Sequence, residues 1–435
     1  MKRMLALLLC LMLVASLFVG CDGKPTPANN GGETAAPADN GNEAPADNGG
    51  EAPAANSDIK VGVVLVGDEN EGYTLAHING LKEAAKNLGL SETDNFVWKY
   101  AIGEDETCKT AIEDCIDQGC TLVFTNSYGH QDYAQLAAEQ NPDVQIVAMT
   151  GDKAKASGLP NFKNAFTEIY EARFAAGVVA GMKIAELEAD GKLTDKNYNA
   201  DGTVKVGYVG AYPYAEVVSG YTAFFLGIKS VYENVSMEVL YTSSWFDITA
   251  EKAAAEQMIG DGCVIIGQHA DSTGAPSACE AALNAGTTVF SVGYNIDMLT
   301  AAPNAALTSP TNEWGVYYTY AIGQAMKGEE IATNWAEGFD QDAVALTPLG
   351  PNVAAGTQEK VDEVIAALKA GTLHPFAQDS FTVGGATVEE AFATDTDGDW
   401  TNDADNAMFD GYYHESYFQS APSFSLRIDG ITELN

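Results

Sequence analysis

Apolar positions along this chain fall into two alternating patterns, and the alternation occurs twice. Lys60 leads into a nearly continuous apolar run, Val61-Gly-Val-Val-Leu-Val66, that stops at Gly67; beyond it Leu75, Ile78, Leu81, Ala85 and Leu88 recur at helical spacing. A short continuous run reads as a strand covered on both faces, and the three-to-four spacing as a helix with one apolar side. The same order returns at Lys205-Val-Gly-Tyr-Val209, followed by a helical stretch from about Glu216 to Glu233 with Val217, Tyr221, Phe224, Phe225 and Ile228 on its buried side. Each copy continues in the same way. Strands at 97–102, 121–126 and 144–150 with a helix at 107–118 correspond to strands at 239–242, 263–268 and 288–292 with a helix at 250–260.

Alternating strand–helix units build parallel sheets covered by helices, so the pattern predicts two lobes of similar α/β architecture with a cleft between them. Ligands of such sheets sit beyond the carboxyl ends of the strands, which makes 67–74, 127–133, 210–216, 243–249, 269–275 and 293–299 the expected binding loops. We place the first lobe at 58–165 and 298–330 and the second at 166–297 and 331–435.

The chain ahead of this body has a different character. Lys2 and Arg3 precede an apolar run from Met4 to Val19, and Gly20 stands before Cys21. This layout predicts a signal peptide over 1–20 and lipidation of Cys21, although Phe18 stands where a lipobox usually has Leu. Residues 21–57 are Pro, Ala, Asn, Gly and acid, with Ala-Pro-Ala-Asp-Asn-Gly at 36–41 repeated at 44–49. Such a segment buries no core and reads as a flexible tether. The expectation is an extracytoplasmic protein held to the cell membrane by lipid.

With 61 acidic against 22 basic residues the formal charge is −39, which argues against nucleic-acid or acidic-lipid partners. Five cysteines remain beyond the signal segment and Cys21: Cys108, Cys115, Cys120, Cys263 and Cys279. An odd number without metal spacing reads as buried small hydrophobes, with one bridge within 108–120 as the competitor. No metal and no cofactor motif is found.

The expected binding loops are rich in aromatics, namely Tyr73, Tyr128, Tyr133, Tyr212, Tyr214, Trp245, Phe246 and Tyr294, and suit a planar ligand that stacks. They contain no Lys or Arg, so a phosphate or carboxylate would meet no basic partner. Acids and amides take that place: Asp68, Glu69, Asn70, Glu71, Asn126, Asp132, Asp247, Asp271, Asn295 and Asp297. Carboxylates accept hydrogen bonds from hydroxyls and amines, as a sugar or a purine edge would offer.

Several stretches resemble the basic membrane protein (BMP) family of ABC-transporter substrate-binding lipoproteins, which includes purine nucleoside and purine base binders. They are Val61-Gly-Val with Gly72-Tyr-Thr-Leu-Ala-His77, Tyr170-Glu-Ala-Arg-Phe with Ala176-Gly-Val-Val-Ala-Gly181, and Val206-Gly-Tyr-Val-Gly-Ala-Tyr-Pro with Glu216-Val. Further on come Ser244-Trp-Phe-Asp247, Gln268-His-Ala-Asp-Ser272, Val292-Gly-Tyr with Asp297-Met, Leu307-Thr-Ser, Trp314-Gly-Val-Tyr-Tyr318, and Trp335 with Gly338. The resemblance implies a type I periplasmic-binding-protein fold, two lobes joined by three hinge crossings. It implies capture of a purine nucleoside or base for an ABC permease and its ATPase, by a monomer without enzymatic activity. Glu71 and Tyr73 match the family's Asp and Trp of the first motif, Trp245 lies in the Ser-Trp-Phe-Asp segment, and Asp271 and Asp297 in the acid-bearing loops. The expected ligand-binding residues are therefore Glu71, Tyr73, Tyr128, Tyr212, Trp245, His269, Asp271, Asn295 and Asp297, with Asn295 standing where the family is often acidic.

Two other classes compete with this reading. A purine-processing enzyme finds no nucleophile elbow, zinc-protease helix or phosphate loop, although His130 and His269 could share the cleft with Asp132 and Asp271. A surface sensor without a transporter is compatible with every residue named. The C-terminal region departs from the family: Asp395, Asp397 and Asp399 alternate as calcium ligands can, but Gly398 falls fourth and no Glu closes the loop, which favours a solvated segment over 395–405.

Overall fold

A computed structural model describes residues 57–393 and 405–435; the expected signal peptide, the tether with Cys21 and most of the 395–405 segment lie outside the described residues. The first run is β1 (Val61–Val64), α1 (Gly72–Leu88), β2 (Phe96–Lys99), α2 (Glu106–Asp117), β3 (Leu122–Thr125), α3 (Gln131–Gln140), β4 (Gln145–Met149), α4 (Ala154–Ser157) and β5 (Phe162–Thr167). After α5 (Ile169–Ala189) it is repeated as β6 (Val204–Gly210), α6 (Ala215–Lys229), β7 (Val235–Tyr241), α7 (Ile248–Asp261), β8 (Ile265–His269), α8 (Gly274–Asn284), β9 (Phe290–Val292) and β10 (Ala306–Thr308). The remaining elements are β11 (Pro310–Asn312), α9 (Trp314–Lys327), β12 (Asn334–Glu337), β13 (Val344–Leu346), α10 (Thr357–Lys369), β14 (Met408–Phe409), β15 (Tyr412–Tyr413) and β16 (Ile431–Glu433).

Two six-stranded sheets result, in the orders β12-β5-β4-β3-β1-β2 and β10-β9-β8-β6-β7-β16. All their pairings are parallel. Strands β1 and β3 are buried at every position, which is why they read as unbroken apolar runs. The chain passes from the first sheet to the second between β5 and β6, returns between β10 and β12, and crosses again between β12 and β16, giving three crossings. The fold is the type I periplasmic solute-binding architecture, with helices covering both sheets.

Two strands change sides relative to the expected division. Residues 306–308 pair with β9 in the second sheet, and 334–337 pair with β5 in the first. Period alone does not say which sheet edge a short strand joins; that is settled by which edge is free when the chain crosses.

Helix α5 packs on the second sheet and touches α6 along glycines. A Cβ at Gly177 would run into the carbonyl oxygen of Phe224, and one at Gly227 into that of Phe174. Both helices are apolar nearly all round, as expected of helices covered on every side. At the C-terminus β16 adds to the second sheet beside β7, and Glu433 accepts hydrogen bonds from Tyr221 and Tyr241 at 2.8 and 2.6 Å. The five cysteines of the folded body are buried free thiols. Among the described residues no helix is long and apolar enough to cross a membrane.

Candidate functional site

The carboxyl ends of β1–β4 and β6–β9 converge on one cavity of about 480 Å³. Its lining comes from both sheets: Val66, Gly67, Asp68, Asn70, Glu71 and Tyr73 after β1, Ala101 and Glu104 after β2, Ser127 and Tyr128 after β3, and Thr150 after β4. The second sheet adds Tyr212 and Glu216 after β6, Ser244, Trp245 and Phe246 after β7, His269 and Asp271 at the end of β8, and Tyr294 after β9. This is where open parallel sheets bind ligands, because strand order reverses at β1 and again at β6 and leaves a crevice above the sheet.

One wall is aromatic. Tyr212 and Tyr214 stack at 5.0 Å with planes 10° apart, Trp245 stands edge-on to Tyr212 at 5.3 Å, and His269 lies 4.8 Å from Tyr294. Across the cavity Tyr128 approaches Tyr214 at 6.1 Å and donates a hydrogen bond to Asp152 at 3.0 Å. Tyr73 is held by its hydroxyl on the carbonyl of Asn126 and by an edge contact with His77 at 4.5 Å.

The polar part is acidic. Glu71 caps α1, accepting from the backbone N–H groups of Tyr73 and Thr74 at 3.0 Å each, and burial raises its pKa. Glu216 Oε1 meets His269 Nε2 at 3.1 Å; burial pushes Glu216 up to about 7 and holds His269 well below its usual value. Asp271 accepts from Asn295 Nδ2 at 2.8 Å and donates its backbone N–H to the carbonyl of Trp245 at 2.8 Å. Its pKa is raised well above the ordinary range, first by burial and then by the charges of Glu71, Glu251 and Glu216. Among the described residues neither Lys nor Arg lines the cavity.

Of the expected site residues, Glu71, Tyr73, Tyr128, Tyr212, Trp245, His269 and Asp271 line this cavity. Asn295 does not; it is buried behind Asp271, with its backbone at φ +62°, and accepts from Asn312 Nδ2 at 3.0 Å. Asp297 is exposed and caps the backbone N–H of Leu299 at 2.8 Å, a local turn role that a sequence cannot distinguish from a ligand role. His130 and Asp132 are also elsewhere, the first against the carbonyl of Ile102 at 3.1 Å and the second paired with Lys153.

Glu104 and Thr150 also line the cavity; they stand at the ends of β2 and β4, outside the six expected loops, although the strand-end rule applies to those strands equally. Glu216 was inside an expected loop but not singled out. Arg173 lies in the Tyr170-Glu-Ala-Arg-Phe stretch that carries the family resemblance and is not among the expected site residues. Its guanidinium carbon lies 3.8 Å from the ring centre of Tyr294, directly behind the wall, and the available signal is an arginine among the apolar positions of a largely buried helix.

Comparison with known proteins places this geometry. Residues 59–371 match the Bmp family, described as ABC transporter substrate-binding protein PnrA-like. The chain belongs to this family. A relative named purine-binding protein, from Brucella abortus strain 2308, is 31% identical over 74% of this chain and 84% of its own length. One from Haloferax volcanii, named a putative ABC transporter glucose-binding protein, is 27% identical over 82% of this chain and 77% of its own length. An ABC transporter solute-binding protein structure from Aeropyrum pernix K1 shares the fold, with a TM-score of 0.60 at 16% identity over 73% of this chain and 93% of that one. Bmp proteins are substrate-binding components of ABC transporters, extracytoplasmic binders of small molecules rather than enzymes.

Proposed function

We propose that this protein captures a purine nucleoside or purine base between its lobes and delivers it to an ABC importer. The observation that carries the reading is the cavity itself: aromatic rings on both walls, carboxylates at the edges and no lining Lys or Arg among the described residues. Stacking rings suit a flat heterocycle, and acceptor-rich edges suit its amino and ring N–H groups. A volume of about 480 Å³ is within the usual range for small-molecule sites. The purine-binding name of the Brucella relative supports the same ligand class.

Calorimetric titration with adenine, adenosine, guanosine and inosine tests this, with adenosine monophosphate and D-glucose as controls. A purine is expected to bind at least a hundredfold more tightly than the monophosphate, whose phosphate meets carboxylates without a basic partner. Tighter binding of the monophosphate, or of glucose than of every purine, overturns the reading.

Membrane attachment through a lipid on Cys21 is part of the proposal and rests on the apolar run from Met4 to Val19 ahead of Gly20-Cys21. Cys21→Ser is expected to abolish incorporation of labelled fatty acid and to leave ligand affinity unchanged.

A further inference from the structure

Helix α5 is buried on nearly every side, yet it carries Arg173 with 2% of its surface exposed. The chain has three arginines, Arg3, Arg173 and Arg427, so this one is not surface background. Its Nη1 donates to the Tyr208 hydroxyl at 2.8 Å and to the Gln268 carbonyl at 2.6 Å, and its guanidinium carbon sits over the Tyr294 ring at 3.8 Å. Nε and Nη2 have no hydrogen-bond partner, and none of the direct partners is a carboxylate. Burying a guanidinium without a paired anion is costly, so the charge acts at longer range.

What it acts on is the cavity wall. Glu216 Oε1 is engaged by His269 and Asp271 Oδ1 by Asn295, while Glu216 Oε2 and Asp271 Oδ2 accept from no protein donor among the described residues. Gly220 of α6 lets the cation and this wall come together, since a Cβ there would meet His269 Nδ1 at 2.7 Å and Arg173 Nε at 3.2 Å.

We propose that Arg173, which does not itself line the cavity, is a positioning residue: it holds Tyr294 in place and keeps Glu216 and Asp271 available as hydrogen-bond acceptors, so the site selects ring edges bearing N–H donors. This rests on the purine reading and narrows it. The groups facing Arg173 are Glu216 from α6, Tyr208 from β6, His269 from β8, and Asp271 and Tyr294 from the following loops; Glu71 and Glu251 act in turn on Asp271. Burial raises both wall carboxylates and Arg173 opposes it, while burial and Arg173 together keep His269 neutral. Ligand N–H groups favour the ionised carboxylates, so capture releases protons near pH 7.

The test uses whichever of adenine and guanosine the intact protein binds. In wild type the heat of binding at pH 7 is expected to depend on the ionisation enthalpy of the buffer, and affinity to fall about tenfold as pH drops one unit below 6, where Glu216, raised to about 7, is protonated. Arg173→Met is expected to weaken binding at least tenfold at pH 7 and to move the affinity profile upward by half a pH unit or more. Arg173→Lys keeps the charge without the planar fork and is expected to retain the wild-type profile. A purely structural Arg173 would lower the melting temperature of the Met variant and leave its profile in place, which overturns the proposal. Should the Met variant not fold, wild-type heats that are independent of buffer overturn it equally. Wild type that binds no purine at all is a separate result and refutes the purine reading first.

Discussion

Replacing Trp245 with alanine separates a ligand wall from a core residue. Trp245 is half-buried on the loop after β7, with its ring 5.3 Å from Tyr212, 6.2 Å from Tyr214 and 6.4 Å from His269. Its backbone carbonyl accepts from Asp271 N–H, a bond that the substitution leaves in place. Loss of a fully buried Trp costs about 3–5 kcal/mol of stability. A half-buried one at a cavity edge, where water refills the space, should cost about 1–2 kcal/mol. For the ligand, a stacking ring contributes about 0.5–1.5 kcal/mol beyond burial, and the lost apolar contact adds a comparable amount. The sum, about 1–2 kcal/mol, is tenfold or somewhat more in affinity. Denaturant unfolding of the ligand-free variant and calorimetric titration of the folded variant measure the two effects separately. A stability loss above about 3 kcal/mol with unchanged affinity would show that Trp245 is a core residue and that stacking rests on Tyr73, Tyr128 and Tyr212.

Three further outcomes follow from the structure. Burial raises Glu168 and Glu415 to about 8 and Glu171, Glu216 and Glu251 to about 7, all above their unfolded value. Their stabilising effect is complete below the unfolded pKa and is lost as pH rises through 7–8, so the ligand-free protein should melt higher at pH 5.5 than at 8.5; the reverse order would refute these burial-driven shifts. Gly177→Ala inserts a methyl group where α5 meets the Phe224 carbonyl and should cost about 1–3 kcal/mol or more, read as a lower urea midpoint with an unchanged slope. Glu433→Ala leaves the Tyr221 and Tyr241 hydroxyls without their acceptor and should cost about 2 kcal/mol, whereas a midpoint equal to wild type would mean that β16 contributes little.

Local patterning along the chain is enough to give the repeated strand–helix order, the two lobes and most of the cavity loops. Those features rest on local periodicity, and β1, β3, α1 and α7 lie close to where Val61–Val66, Thr121–Asn126, Leu75–Leu88 and Ala250–Gly260 placed them. Aromatic and acidic enrichment also pointed to the loops that carry Tyr73, Tyr212, Trp245 and Asp271, because strand-end loops of a parallel sheet must face the crevice. Tertiary structure decided the rest. It assigned 306–308 to the second sheet and 334–337 to the first, since sheet membership of a short strand depends on a free edge far away in sequence. It turned Asp297 outward as a cap and set Asn295 behind Asp271, because one loop can point like residues in opposite directions. It also brought Arg173, from a helix between the two repeats, against the back of Tyr294: a contact between residues more than a hundred positions apart has no local pattern, and the packing of α5 against the second sheet creates it.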